Sequence, residues 1–128
     1  AAITQTISII SKIREITEIE FPIKKVDILY FQSDVNKDIG ISKIAIIDAT
    51  ANFFKHHHEW PMDWIGSKGT QQYTINIVQK IGLYPEGKHN LETALSALGG
   101  SSNRTSEMGF IIQKWREKIA EHIRKQIF

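Results

Sequence analysis

A chain of 128 residues, 41% hydrophobic and 23% charged, is sized and composed for one packed domain rather than for disorder. It has no cysteine, which excludes disulfides, thiolate metal sites and cysteine nucleophiles. The net charge of +2 is too small to demand a polyanionic partner, and no apolar run reaches the roughly 18 residues of a membrane span, so no membrane association is expected and the cytoplasm is the simplest location.

The chain opens without the basic n-region of a signal peptide, and the missing initiator Met suggests a processed or trimmed start. Ile3, Ile7, Ile10 and Ile13 recur at helical spacing, which predicts an amphipathic helix from Ile3 to about Glu18, ended by Phe21-Pro22. Ile23 to Phe31 reads as a strand or a short helix. The strand lacks a convincing partner, so helix or irregular structure is preferred. Ser33 to Asp38 is turn chemistry, with Gly40 beside it.

A central helix is predicted from about Asp38 to His58, closed by Pro61. On it, Ile44, Ile47, Ala51 and Phe54 form one apolar stripe, and Ala45, Ile46, Ala49 and Phe53 another. Between them runs a narrow polar strip, Asp48, Asn52 and His56, with Lys55 alongside. Such a strip faces water at the edge of the bundle, lines a cleft, or meets another chain.

Trp60 to Trp64 forms an aromatic corner. A helix from Thr70 to Ile81 follows, with Tyr73, Ile77, Val78 and Ile81 on one side and Gly82 as its stop. A strand over its first half is the alternative. Asn90 is placed to cap a short helix from Leu91 to Leu98, with Leu91, Ala94, Leu95 and Leu98 inward, and Gly99-Gly100 to end it. After a loop from Ser101 to Arg104, Thr105 or Ser106 caps a last helix. Its stripe is Met108, Ile111, Ile112, Trp115, Ile119, Ile123 and Ile127. The expected fold is all-α, or α-rich with at most one minor β element: a compact helical bundle forming a single domain over 1–128.

From Arg104 onward, Arg104, Lys114, Arg116, Lys118, Arg124 and Lys125 outnumber Glu107, Glu117 and Glu121, a lean compatible with an anionic partner. The run His56-His57-His58 does not read as a metal site. Consecutive helical residues point about 100° apart, and no H-E-x-x-H spacing exists. His58 falls on an apolar stripe and is expected to pack rather than ligate. Trp60, Trp64 and Tyr73 are read as core before they are read as base-stacking platforms. Neither a phosphate-cradling glycine loop nor a nucleophile elbow is present. What remains is an amide, a lysine and histidines at one helix end, a set able to move a proton near pH 7 and hold a phosphate.

The segment Ala51-Asn52-Phe53-Phe54-Lys55-His56 resembles the helical motif of HEPN domains (higher eukaryotes and prokaryotes nucleotide-binding). That family's signature is Arg, four to six residues, then His, often with Asn, Asp or His directly after the arginine. The resemblance implies an all-α domain and metal-independent RNA cleavage needing no cofactor. It also implies two motifs paired across a homodimer, and a bacterial defence or toxin–antitoxin setting with an antitoxin or other protein partner. Catalytic roles fall to His56, the proton-transfer group, and Asn52, which orients it or a phosphate; Lys55 and His57 would bind substrate. Ala51 stands where the family has arginine, which implies impaired catalysis. Arg116 and His122 repeat the Arg-to-His spacing on the last helix, with Glu117 where the polar residue belongs, and are further substrate-binding candidates. Two other readings stand beside this one. The first is a non-enzymatic interaction module using the polar strip and the Trp60–Trp64 corner; the second is a small ligand-sensing domain with that corner lining a pocket.

Overall fold

Isoleucine periodicity builds the first helix, α1 (Ala2–Ile16), in a computed structural model that describes residues 2–99 and 106–127. Ile3 and Ile10 are buried, and Ile7 and Ile13 pack against the core. The helix ends short of Phe21-Pro22. The Thr17 hydroxyl donates to the Ile13 carbonyl at 2.7 Å and accepts the Ile19 N–H at 3.2 Å, a local arrangement that competes with further helix. Arg14 then donates to the Pro22 carbonyl at 3.0 Å, holding the connecting segment near α1.

The ambiguous segment forms a short helix, α2 (Lys25–Tyr30), with Ile28 and Leu29 buried. A two-stranded antiparallel hairpin follows, β1 (Val35–Asn36) with β2 (Ile41–Ser42), Val35 opposite Ser42 and Asn36 opposite Ile41. It occupies residues expected to begin the central helix. Asn36 is the reason: its Oδ1 accepts the Asp38 N–H at 3.0 Å, and its Nδ2 donates to the Ala97 carbonyl at 2.8 Å. Gly40 completes the turn at φ +70°, where a side chain would strain the backbone.

The central helix α3 (Lys43–His56) therefore starts at Ser42, whose buried Oγ accepts the Ala45 N–H at 3.1 Å. Its other end is a 3-10 turn over His57–Glu59, so Pro61 lies beyond the stop instead of causing it. Ala45, Ile46, Ala49 and Phe53 are all buried as expected. The second stripe is buried only at Ile44 and Ile47; Ala51 and Phe54 are exposed. α3 touches α2, α4, α5 and α6, which makes it the centre of the bundle.

Helix α4 (Gly69–Lys80) excludes the strand alternative. Gly82, at φ +102°, stops it: the Gly82 and Leu83 N–H groups bond the Gln79 and Val78 carbonyls, closing the helix end in a Schellman arrangement. Helix α5 (Asn90–Ala97) buries Ala94 and Leu95, with Leu98 just past its end, but leaves Leu91 exposed. Asn90 is no cap. It is the first helical residue, and its side-chain amide donates to the Tyr84 carbonyl at 2.9 Å, tying down the preceding loop. Gly99 follows the helix at φ +79°. The readings of Gly100, the Ser101–Arg104 loop and a Thr105 cap lie outside the described residues.

The last helix, α6 (Ser106–Ile127), buries Trp115 and Ile119, with Met108, Ile111, Ile112 and Ile123 packed against the core; Ile127 is exposed. The Trp115 Nε1–H donates to the Phe31 carbonyl at 2.8 Å, joining α6 to the end of α2. The fold is helical, with six α-helices and one minor hairpin among the described residues. No helix among them is long and apolar enough to cross a membrane.

Candidate functional site

The polar strip of α3 is not sealed inside the bundle. Asn52 and His56 line a cleft of about 380 Å³ together with Lys25 from α2, Glu59 and Trp60 from the segment after α3, and Thr70, Gln71 and Thr74 from α4. Asp48, a turn earlier on the strip, is paired with Lys25 at 3.3 Å, its side chain only 12% exposed. Charge from α2 thus neutralises the single acid of α3 and sits at the cleft wall.

His56 is the best-defined group in this cleft. Its Nδ1 lies 2.6 Å from Glu59 Oε2. A carboxylate accepts, so Nδ1 carries the proton and a neutral imidazole leaves Nε2 as the acceptor. The 3-10 turn creates this pair by bringing residue 59 back over residue 56. Imidazole oriented by a carboxylate is an arrangement suited to general base or acid work. Asn52 supplies an amide about one turn away, roughly 6 Å along the axis. Glu59 and Lys25 were missed in the sequence. The i to i+3 spacing of His56 and Glu59 offered a signal for the first. Nothing local signals a lysine arriving from another helix.

The other candidates lie elsewhere. Lys55 is exposed and lines none of the principal clefts among the described residues. His57 turns to a separate aromatic pocket, its ring stacked 4.9 Å from Phe53 and its Nδ1 3.0 Å from the Phe53 carbonyl. His58 is exposed, which corrects its reading as the packing histidine; His57 is exposed too but stacks on Phe53. Arg116 is exposed on α6. His122 lies on a different cleft, its Nε2 3.1 Å from the Glu20 carbonyl and its ring edge-on to Phe21 and Phe31. Of the six candidates, Asn52 and His56 share a cleft among the described residues. Among the described residues no group of three or more His, Asp or Glu side chains is placed to hold a metal ion.

Tyr73 on α4 has its phenol pushed above the usual tyrosine range, by burial first and then by the nearby Tyr30 and Asp48. Trp60 and Trp64 are buried with ring centroids 6.2 Å apart, and each contacts Phe53, so the corner is a core cluster with one open side. Compared with protein-family models, curated proteins and solved structures, the chain matches none.

Proposed function

We propose that this chain is a HEPN-like helical domain that binds RNA and cleaves it weakly or has lost cleavage, within a bacterial defence or toxin–antitoxin setting. The observation that carries the reading is the His56–Glu59 pair opening onto a cleft that also holds Asn52 and Lys25. In such a cleft the Nε2 of His56 takes the proton of an RNA 2′-hydroxyl as that oxygen attacks the adjacent phosphorus. The P–O5′ bond breaks, leaving a 2′,3′-cyclic phosphate and a 5′-oxygen that takes its proton from water. Asn52 donates to a phosphate oxygen, while Lys25 stays paired with Asp48 at the cleft wall. No metal is required for these steps. A homodimer would set two such strips against one another, and the exposed Ala51 and Phe54 beside them suit a surface that meets a second copy.

The test combines light scattering with cleavage of transfer RNA in EDTA, for the parent, His56→Ala and Glu59→Gln. Cleavage that survives EDTA and is lost in His56→Ala supports the reading. A parent that neither binds nor cuts RNA sinks it. A second reading, a partner-binding module, is favoured by Met62 and Ile65, which are 82% and 74% exposed in and beside the aromatic corner. Loss of a protein complex on Met62→Ser and Ile65→Ser, with RNA assays unchanged, would move the assignment to that face.

A further inference from the structure

The basic residues of α6 form a feature that the His56 cleft does not use. Lys114, Lys118, His122 and Lys125 fall at i, i+4, i+8 and i+11, one row about 16 Å long on a single helix face. Two adjoining clefts run beside that row, and both are lined by Gln32, Ser33 and Lys118. Together they make a groove between α6 and the turn after α2. Lys43, at the start of α3, enters it from the opposite wall.

The groove's charge is only partly compensated. Lys118 lies 3.2 Å from Asp34, and Glu121 is engaged by Arg124 at 2.6 Å. Among the described residues no carboxylate lies within ion-pair distance of Lys43, Lys114 or Lys125. Glu107 on the rim offsets part of this excess. His122, in the same row, has its Nε2 3.1 Å from the Glu20 carbonyl.

Two more observations distinguish the groove from an ordinary solvated helix face. Phe110, on its wall, is 58% exposed, and the Lys114 ammonium sits 5.5 Å from its ring centroid. An exposed aromatic ring beside lysines is how proteins bind single strands: a base stacks on the ring while cations follow the phosphates. Gln32, shared by both clefts, has φ +60°, a left-handed backbone that a non-glycine residue seldom adopts and that clusters at ligand sites.

We infer that this groove is a track for single-stranded RNA, with Lys43, Lys114 and Lys125 on its phosphates and Phe110 under one base. The inference rests on the RNA reading above but assigns RNA to a surface outside the His56 cleft. An RNA duplex fits less well, because its bases are stacked on one another and unavailable to Phe110.

The experiment measures fluorescence anisotropy of a labelled single-stranded RNA 15-mer, and of a duplex of the same length, between 50 and 200 mM salt. The variants are Phe110→Ala, the triple Lys114→Ala/Lys118→Ala/Lys125→Ala, and a control triple at Lys12, Lys24 and Lys88, three exposed lysines outside both clefts. Single-strand counterion release of about 0.7 per contacted phosphate predicts that the groove triple, through Lys114 and Lys125, lowers the log–log salt slope by about 1.4. Phe110→Ala weakens single-strand binding by about five- to a hundredfold, with little effect on the duplex. Equal losses from the control triple, or equal affinity for duplex and single strand, overturn the inference. RNA cleavage that needs His56 yet is indifferent to the groove variants overturns it while leaving the proposed function standing. Groove-dependent binding with no cleavage supports it and removes only the catalytic part of that function.

Discussion

His56, His57 and His58 are three consecutive copies of one side chain in three environments. His56 is held by a carboxylate at a cleft, His57 is exposed but stacks on a core phenylalanine, and His58 is exposed with its ring edge-on to His57. Stability should follow contact. His57→Ala is expected to lower the urea midpoint by the equivalent of about 1 kcal/mol, the scale of one aromatic pair, whereas His58→Ala stays within about 0.5 kcal/mol of the parent. A larger loss at residue 58 would mean the chain turns differently after His56. The sequence suggested the reverse because a 100° step was carried through residue 58. The helix has already tightened to a 3-10 turn by then, and that phase no longer applies. Thr50 offers a second test at this scale. It is 2% exposed in the middle of α3, and its Oγ1 has no hydrogen-bond partner. Replacing that hydroxyl by a methyl of like shape removes an unmet donor, so Thr50→Val should stabilise by roughly 1 kcal/mol in urea unfolding.

Elements are where periodicity spoke most clearly, and where its limit shows. The Ile3–Ile7–Ile10–Ile13 row marked the inward face of α1, and Trp115 and Ile119 that of α6. Phe54, Leu91 and Ile127 sit on equally good apolar rows and are exposed. A row identifies a face; how far a neighbouring helix extends over it is a long-range property that no local pattern carries. The α3 start was hidden for a related reason. Asn36 makes the hairpin worthwhile partly through a carbonyl on α5, 61 residues away in sequence. At the candidate site, Asn52 and His56 were readable from one helix, while Lys25 and the α4 wall were not, because they come from other elements. Trp115 is the element-scale test. It is 2% exposed and bonds the Phe31 carbonyl 84 residues away, so Trp115→Ala both empties a core volume and orphans an acceptor. A loss of about 3–5 kcal/mol in urea unfolding is expected. Tyr73 tests the crossing of α2, α3 and α4. Burial, Tyr30 and Asp48 raise its pKa, so the folded state holds the phenol proton more tightly than the unfolded chain does. That contribution is complete below the unfolded value of about 10 and is lost as pH climbs above it. Tyr73→Phe should therefore flatten the alkaline fall in melting temperature above about pH 10 while leaving the neutral-pH value nearly unchanged.

At the scale of the whole molecule, the proposed function requires one central helix to hold the bundle together and present a reactive strip at once. α3 has the geometry for both, with Ala45, Ile46, Ala49 and Phe53 buried while Asn52 and His56 line a cleft. Folding and chemistry are therefore separable by mutation. His56→Ala touches an imidazole whose side chain is 45% exposed and whose carboxylate partner is likewise at the surface, so the melting temperature should hardly move. Under the proposed reading, RNA cleavage falls by about a hundredfold or more, the usual contribution of a positioned general base. Ala51→Arg is the sharper experiment because it should add activity. Ala51 is exposed, so a long cation there meets no core and costs little stability. It also puts a guanidinium beside Asn52, where the HEPN signature has one, and a guanidinium grips two phosphate oxygens at once as the transition state gathers charge. Cleavage of transfer RNA in EDTA should rise in Ala51→Arg and vanish again in the double variant with His56→Ala. A rise that persists in the double variant would show that the arginine recruits RNA without using His56, and the catalytic role assigned to that histidine would have to be given up.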